Sequence, residues 1–162
     1  MACMACDLIR HPEKVPGGRI ATLGSWAVEH CLGLGVGTAV VKPTRHVVHV
    51  ADLEPAELDE MGPALGRVAR AVSLAAADDG APPSQVYVCL WSHADRRTGH
   101  IHFVVQPVSD ALMAQFDAHG PELQHRMFQA NEPMDPAAME AAAEGIRMHL
   151  AGDDDAAGAA AR

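Results

Sequence analysis

Aromatic side chains are scarce in this sequence: one Tyr, two Trp and three Phe among 162 residues. A core must therefore be filled mostly by Val, Leu, Ala and Met. Positive charge is also short, with 12 Lys and Arg against 21 Asp and Glu and a formal charge of −9. Affinity for nucleic-acid backbones or anionic membranes needs clustered Lys and Arg, so neither partner is expected, while a small phosphorylated ligand is not excluded. No stretch approaches the roughly 20 apolar residues of a membrane span, and the opening MACMACDLIRHPEK lacks the apolar region of a secretory signal. The expected address is the cytoplasm. Thiols stay reduced there, and four cysteines in this length of chain do not suggest a disulfide framework. Reduced thiols are free to bind metal.

What is present suffices for one domain. With 49% apolar residues the chain can bury a single good core, expected over residues 1–150, and the acidic, Ala-rich AGDDDAAGAAAR at 151–162 reads as a disordered tail. Short strand-like runs fall around residues 19–22 and 25–32, and TAVVKP from Thr38 is a third, stopped by Pro43. From Pro55 to Ala77 the apolar residues Leu58, Met61, Leu65, Val68, Ala69, Val72 and Ala76 recur at spacings of three and four, which predicts one long helix with Pro55 in its first turn. SQVYVCLWS and HIHFVVQP read as an antiparallel pair of strands joined by the polar HADRRTG. Three further helices are expected over 110–118, 121–130 and 136–150, with Ser109 or Asp110 and Asp135 as caps. Met61, Met127, Met139 and Met148 fall on helical apolar faces and read as packing, as do Cys31 and Cys89 within apolar strands.

The segment GHIHFVVQP carries the chemistry. Alternation along a strand puts His100, His102, Val104 and Gln106 on one side and Ile101, Phe103 and Val105 on the other. Two imidazoles and an amide on one side are costly to bury without partners or work to do. A neutral imidazole can attack phosphorus if one ring nitrogen donates to a fixed acceptor and the other presents its lone pair. At the other end of the chain, Cys3 and Cys6 have the two-residue gap of a zinc half-site, which needs two more ligands to close a tetrahedron.

GTAVVKPTRHVVHVADLEPAELDEMGPALGRVARAV, followed after a strand by GHIHFVVQPV, resembles the histidine triad (HIT) superfamily over about residues 3–108. That resemblance implies an α+β fold, with an antiparallel sheet of about five strands, one long packed helix and C-terminal helices, commonly as a homodimer. It implies a nucleotide or dinucleotide substrate, and a nucleoside monophosphate group hydrolysed or transferred through a nucleotidyl-histidine at the middle histidine of the motif, here His102. By the same resemblance Cys3, Cys6, His46 and His100 would hold a structural Zn2+. The third histidine falls on Val104, which offers neither a proton nor a phosphate contact. Gln106, Arg96, Arg97 and Thr98 are the candidates to touch substrate in its stead. Two alternatives stay open: a nucleotide- or metal-binding protein without catalysis, and a metal-stabilised interaction domain that takes no nucleotide.

Overall fold

The computed structural model describes residues 3–92 and 99–160. Five strands form one antiparallel sheet: β1 (Arg19–Leu23), β2 (Trp26–His30), β3 (Ala39–Pro43), β4 (Gln85–Trp91) and β5 (His102–Val108), in the order β1-β2-β3-β5-β4. A short helix α1 (Met4–Arg10) precedes the sheet, the long α2 (Pro55–Asp78) links β3 to β4, and α3 (Asp110–Phe116), α4 (Gly120–Ala130) and α5 (Pro136–Ala160) follow it. This is the α+β architecture expected from the sequence. Among the described residues no helix is long and apolar enough to cross a membrane, and the four cysteines are free thiols.

The start of α2 is set locally. Pro55 occupies the first turn, and the Glu57 carboxylate accepts the Glu54 backbone N–H at 2.7 Å, half of a capping box. The helix keeps its expected bounds and most of its expected stripe: Val68 and Val72 are buried, Met61, Leu65 and Ala69 pack at the core's edge, and Ala64, Ala71 and Ala75 join them, while Leu58 is 44% exposed. The small alanines let α2 lie close to the sheet and to α5, so the buried stripe turns away from the larger Leu58. Ser109 caps α3 by accepting the Leu112 N–H, and Asp135 accepts the Ala137 N–H before α5. That last helix does not stop near Leu150 but runs to Ala160. Alanine is the strongest helix former, and it carries the backbone through the intervening aspartates. Met148, on its outer side, is 61% exposed, whereas Met127 and Met139 are buried.

Strand alternation sorts the core into two layers. Trp26, Val28, Val41 and Val105 point to one side of the sheet, where α2 and α5 cover them with Val68, Val72 and Ile146. On the other side Val104 and Val108 pack with Cys31, Leu34 and the α4 residues Leu123 and Met127. The candidate site lies on this second side.

Candidate functional site

Register brings the site together. Val40 pairs with Val104 and Val41 with Phe103, so one position further Lys42 lies across from His102, and Trp91 pairs with His102 from the opposite strand. Glu29 on β2 opposes Val40. Glu29, Lys42, Trp91 and His102 line a cavity of about 350 Å³ whose walls are otherwise mostly apolar, with Leu8 from α1, Leu32, Val40, Val104 and Phe128 among them. Trp91 and Phe128 form a tilted aromatic pair with ring centroids 5.6 Å apart.

His102 Nδ1 lies 3.1 Å from the His100 carbonyl oxygen. A carbonyl only accepts, so Nδ1 carries the proton and Nε2 keeps its lone pair. Burial holds the His102 imidazole below the usual histidine range, the His100 carbonyl opposes that shift, and the nearby charge of Lys42 adds to it. The ring is thus neutral near pH 7, the form in which it can attack an electrophile.

His100, expected beside His102, serves a neighbouring place. Strand β5 begins at His102, and the preceding backbone turns to bond elsewhere, Ile101 N–H donating to the Val47 carbonyl at 2.9 Å. His100 Nε2 donates to the Pro43 carbonyl at 2.8 Å, which leaves Nδ1 bare, 3.5 Å from Cys6 Sγ. His46 Nδ1 lies 3.3 Å from the same sulfur, and its ring stands edge-on to that of His100. One donor atom each from Cys3, Cys6, His46 and His100 falls within 4.8 Å of the others. Ligand atoms around a tetrahedral zinc are roughly 3.3 to 3.8 Å apart, so this donor set fits such an ion with little movement. Its protonation agrees: burial lowers His100 to about 4, leaving it neutral. Burial, with the Cys3 thiol beside it, pushes Cys6 up to about 11, so an isolated thiolate is disfavoured and a bound cation is what would hold it ionised.

Gln106 does not reach the cavity. It is 1% exposed, its Nε2 donates to the Leu34 carbonyl at 3.2 Å, and its Oε1 accepts from Gln124 Nε2 at 3.1 Å. Gln124 Oε1 in turn accepts the Trp91 indole N–H at 3.2 Å. α4 covers this row of the sheet, so the amide that looked free for substrate is spent fixing the Trp91 wall. Arg96, Arg97 and Thr98 lie outside the described residues. His30 lines the cavity but both its nitrogens are engaged, Nδ1 donating to the Cys31 carbonyl and Nε2 accepting the Gly37 N–H. Gly37, at φ +84°, adopts the left-handed turn that aims this N–H.

Sequence reasoning passed over the buried pair in the cavity floor. Lys42 Nζ lies 2.5 Å from Glu29 Oε2, and the two side chains are 3% and 2% exposed. Arg19 Nε donates to the other oxygen of Glu29 at 3.1 Å. The signal was present: WAVEH and AVVKP are apolar strands each interrupted by one charge of opposite sign.

Comparison with known proteins gives no matching family model and no matching curated protein. Solved structures do match over nearly the whole chain. A zinc-bound histidine triad family protein from Mycobacterium smegmatis aligns at TM-score 0.63 and 22% identity, covering 96% of this chain and 98% of that one. A hypothetical histidine triad nucleotide-binding protein from Sulfolobus tokodaii aligns at TM-score 0.65 and 14% identity, covering 93% of both chains. The chain has the histidine triad fold. A uridylyltransferase also shares this fold at TM-score 0.62 and 18% identity, the match covering 93% of this chain and 46% of the transferase. Within the histidine triad fold, His102 and Val104 both stand on the cavity wall, Val104 only 2% exposed and packed into the apolar layer around it.

Proposed function

We propose that this chain is a nucleotide-binding histidine triad protein that hydrolyses or transfers a nucleoside monophosphate group at its α-phosphate, with His102 as nucleophile. The observation that carries this reading is a neutral, carbonyl-anchored His102 on the wall of an apolar cavity, its Nε2 keeping the lone pair. Attack forms an Nε2–P bond as the bond from phosphorus to the leaving group breaks, and the leaving group departs with that electron pair and takes up a proton. Water or a second acceptor then displaces the histidine, returning the lone pair to Nε2. Trp91 and Phe128 offer flat apolar faces to a base. The histidine triad nucleotide-binding protein and the uridylyltransferase that share the fold support the same reading.

We assign the Cys3, Cys6, His46 and His100 cluster to Zn2+, in keeping with the zinc-bound histidine triad neighbour. A closed tetrahedral zinc supplies structure rather than chemistry. It would tie α1, which walls the cavity through Met4, Ala5 and Leu8, to the start of β5. We also propose a homodimer. β4 is an edge of the sheet and exposes Val88 (42%) and Leu90 (45%), an apolar strand edge of the kind that pairs with a second copy. Sedimentation at twice the chain mass supports the dimer; a monomer at micromolar concentration removes it.

The buried Val104 favours one second reading, a nucleotide-binding protein without catalysis, because a positioned acid or base at that place is worth roughly 10²- to 10⁴-fold in rate. A panel of nucleoside phosphoramidates, dinucleoside polyphosphates and nucleotide sugars, labelled at the α-phosphate, decides between the two. Turnover with a labelled protein intermediate trapped on quenching supports the enzyme. Binding without turnover supports the second reading, and absence of any binding leaves a metal-stabilised interaction domain.

A further inference from the structure

Lys42 is an unusual residue to find beneath an apolar cavity. Its side chain is buried on the central strand β3, and its position lies across from His102 on the same face of the sheet. Moving an ammonium and a carboxylate out of water costs several kcal/mol per ion, and a buried pair is commonly replaced by apolar side chains with no loss of stability. Packing alone therefore gives little reason for Glu29 and Lys42 among Val40, Val104 and Leu34. The charges also do not cancel: Glu29 is shared between Lys42 and Arg19, so the three groups together carry one excess positive charge. The ammonium has three N–H donors, and among the described residues Glu29 is the acceptor it has. A cavity with apolar walls and an ammonium in its floor, whose partner carboxylate is also engaged by Arg19 from behind, suits a ligand with an apolar body and an anionic group.

We infer that Lys42 binds an anionic oxygen of the ligand's phosphoryl group beside His102, supplying from β3 the charge that Val104 cannot supply from β5. This rests on the nucleotide reading above and names the residue that would make that cavity prefer nucleotides to nucleosides. Glu29 then acts as a positioning residue: with Arg19 it holds the ammonium at the floor and stops it from folding away. Any phosphate that displaces neither partner gains a charge-assisted hydrogen bond to a buried ammonium, where such bonds are strongest.

The test compares binding of a nucleoside monophosphate with binding of the same nucleoside, by calorimetry, in the wild type, Lys42→Met and Lys42→Arg. Methionine keeps the volume, and Arg19 still partners Glu29. A Lys42→Met/Glu29→Gln double variant removes both charges should the single variant fail to fold. We expect Lys42→Met, or the double variant, to weaken monophosphate binding by about 10- to 100-fold, to leave nucleoside binding nearly unchanged, and Lys42→Arg to restore much of the loss. Equal weakening of both ligands would show a structural role and overturn the inference, as would unchanged monophosphate binding in the variant. If the wild type binds nucleoside and monophosphate equally, the phosphoryl contact fails while the base-binding cavity stands. If the wild type binds neither, the nucleotide reading falls and Lys42 loses this role with it.

Discussion

The two faces of the sheet are made from the same strands and differ in every respect that matters for function. On the α2 and α5 face the inward residues of β2, β3 and β5 are Trp26, Val28, Val41 and Val105, closed over by aliphatic side chains. On the other face the alternate residues of those strands are Glu29, Lys42, His102 and Gln106, interleaved with Val40, Val104 and Val108. The first face is closed over its strand residues by α2 and α5; the second keeps a cavity of about 350 Å³ beside its strand residues. Buried polar groups and a cavity both lower stability relative to tight apolar packing. The molecule thus keeps its stability on one face and its chemistry on the other, with strand periodicity as the partition.

Two substitutions should separate these faces, and the larger effect belongs to the cavity. His102→Ala removes the nucleophile and should lower turnover by about 10³-fold or more, with melting temperature little changed because the ring packs beside a cavity. A variant that keeps its rate would move the nucleophile elsewhere and end the proposed mechanism. On the packed face, Ile146 is 0% exposed, and Ile146→Ala should cost about 2 to 5 kcal/mol, a fall of roughly 5 to 15 °C in melting temperature. Ligand affinity of the folded fraction should stay at the wild-type value. A cavity-face defect from this variant, read as weakened nucleotide binding well below its melting temperature, would show that the faces are coupled.

The packed face was the more legible in the sequence. Spacing at three and four gave α2 nearly to the residue, and period-two alternation separated Phe103 and Val105 from His102 and Val104. The details that escaped are those fixed by what lies across the fold. Alternation assigns a face but not its cover: Gln106 shares a face with His102, yet α4 closes over one and leaves the other open. Lys42 and Glu29 sit on adjacent strands thirteen residues apart, and only the register of β2 against β3 makes them partners. The Cys3, Cys6, His46 and His100 set was reached through a resemblance, and the fold brings together residues from three separate segments.

Between the two faces lies the metal corner, where a loss should be intermediate in size and local. Cys3→Ser, or removal of zinc by chelation, should take the protein from about one zinc per chain to none. Helix α1 has seven residues, too few to persist alone, and none is buried. Its backbone amides should therefore exchange nearly as fast as those of an unstructured chain once the metal is gone. Those of α2 and β5 should keep their protection, and the melting temperature should fall by only a few degrees. If α1 stays protected without zinc, the contacts of Met4 and Leu8 at the cavity and the Arg19 bond to the Ile9 carbonyl are what hold it, and the metal is dispensable to the cavity wall.

The smallest expected effect concerns how the packed face holds the metal corner. Arg45, next to His46, makes paired hydrogen bonds to Glu57 at 2.6 and 3.1 Å and donates to the Asp52 carbonyl. Those Arg45 bonds hold the Glu57 carboxyl below its ordinary 4.5, against burial that raises it and with help from the Glu54 N–H and the Arg45 charge. A carboxyl lowered on folding stabilises above its unfolded value and loses that contribution as pH falls through the lower folded value. Glu57→Gln should therefore cost a small amount of stability at pH 7, and the gap from wild type should close as pH drops below about 4.5. Zinc affinity should weaken slightly in step, because Arg45 positions the turn that carries His46. Arg45 is partly exposed, so solvent screens much of the pair. Acid unfolding curves that differ by the same amount at every pH would show that the charge contributes nothing. The turn at His46 would then be held by the buried Val47, whose carbonyl accepts the Ile101 N–H, and the packed face alone would set the geometry of the metal ligands.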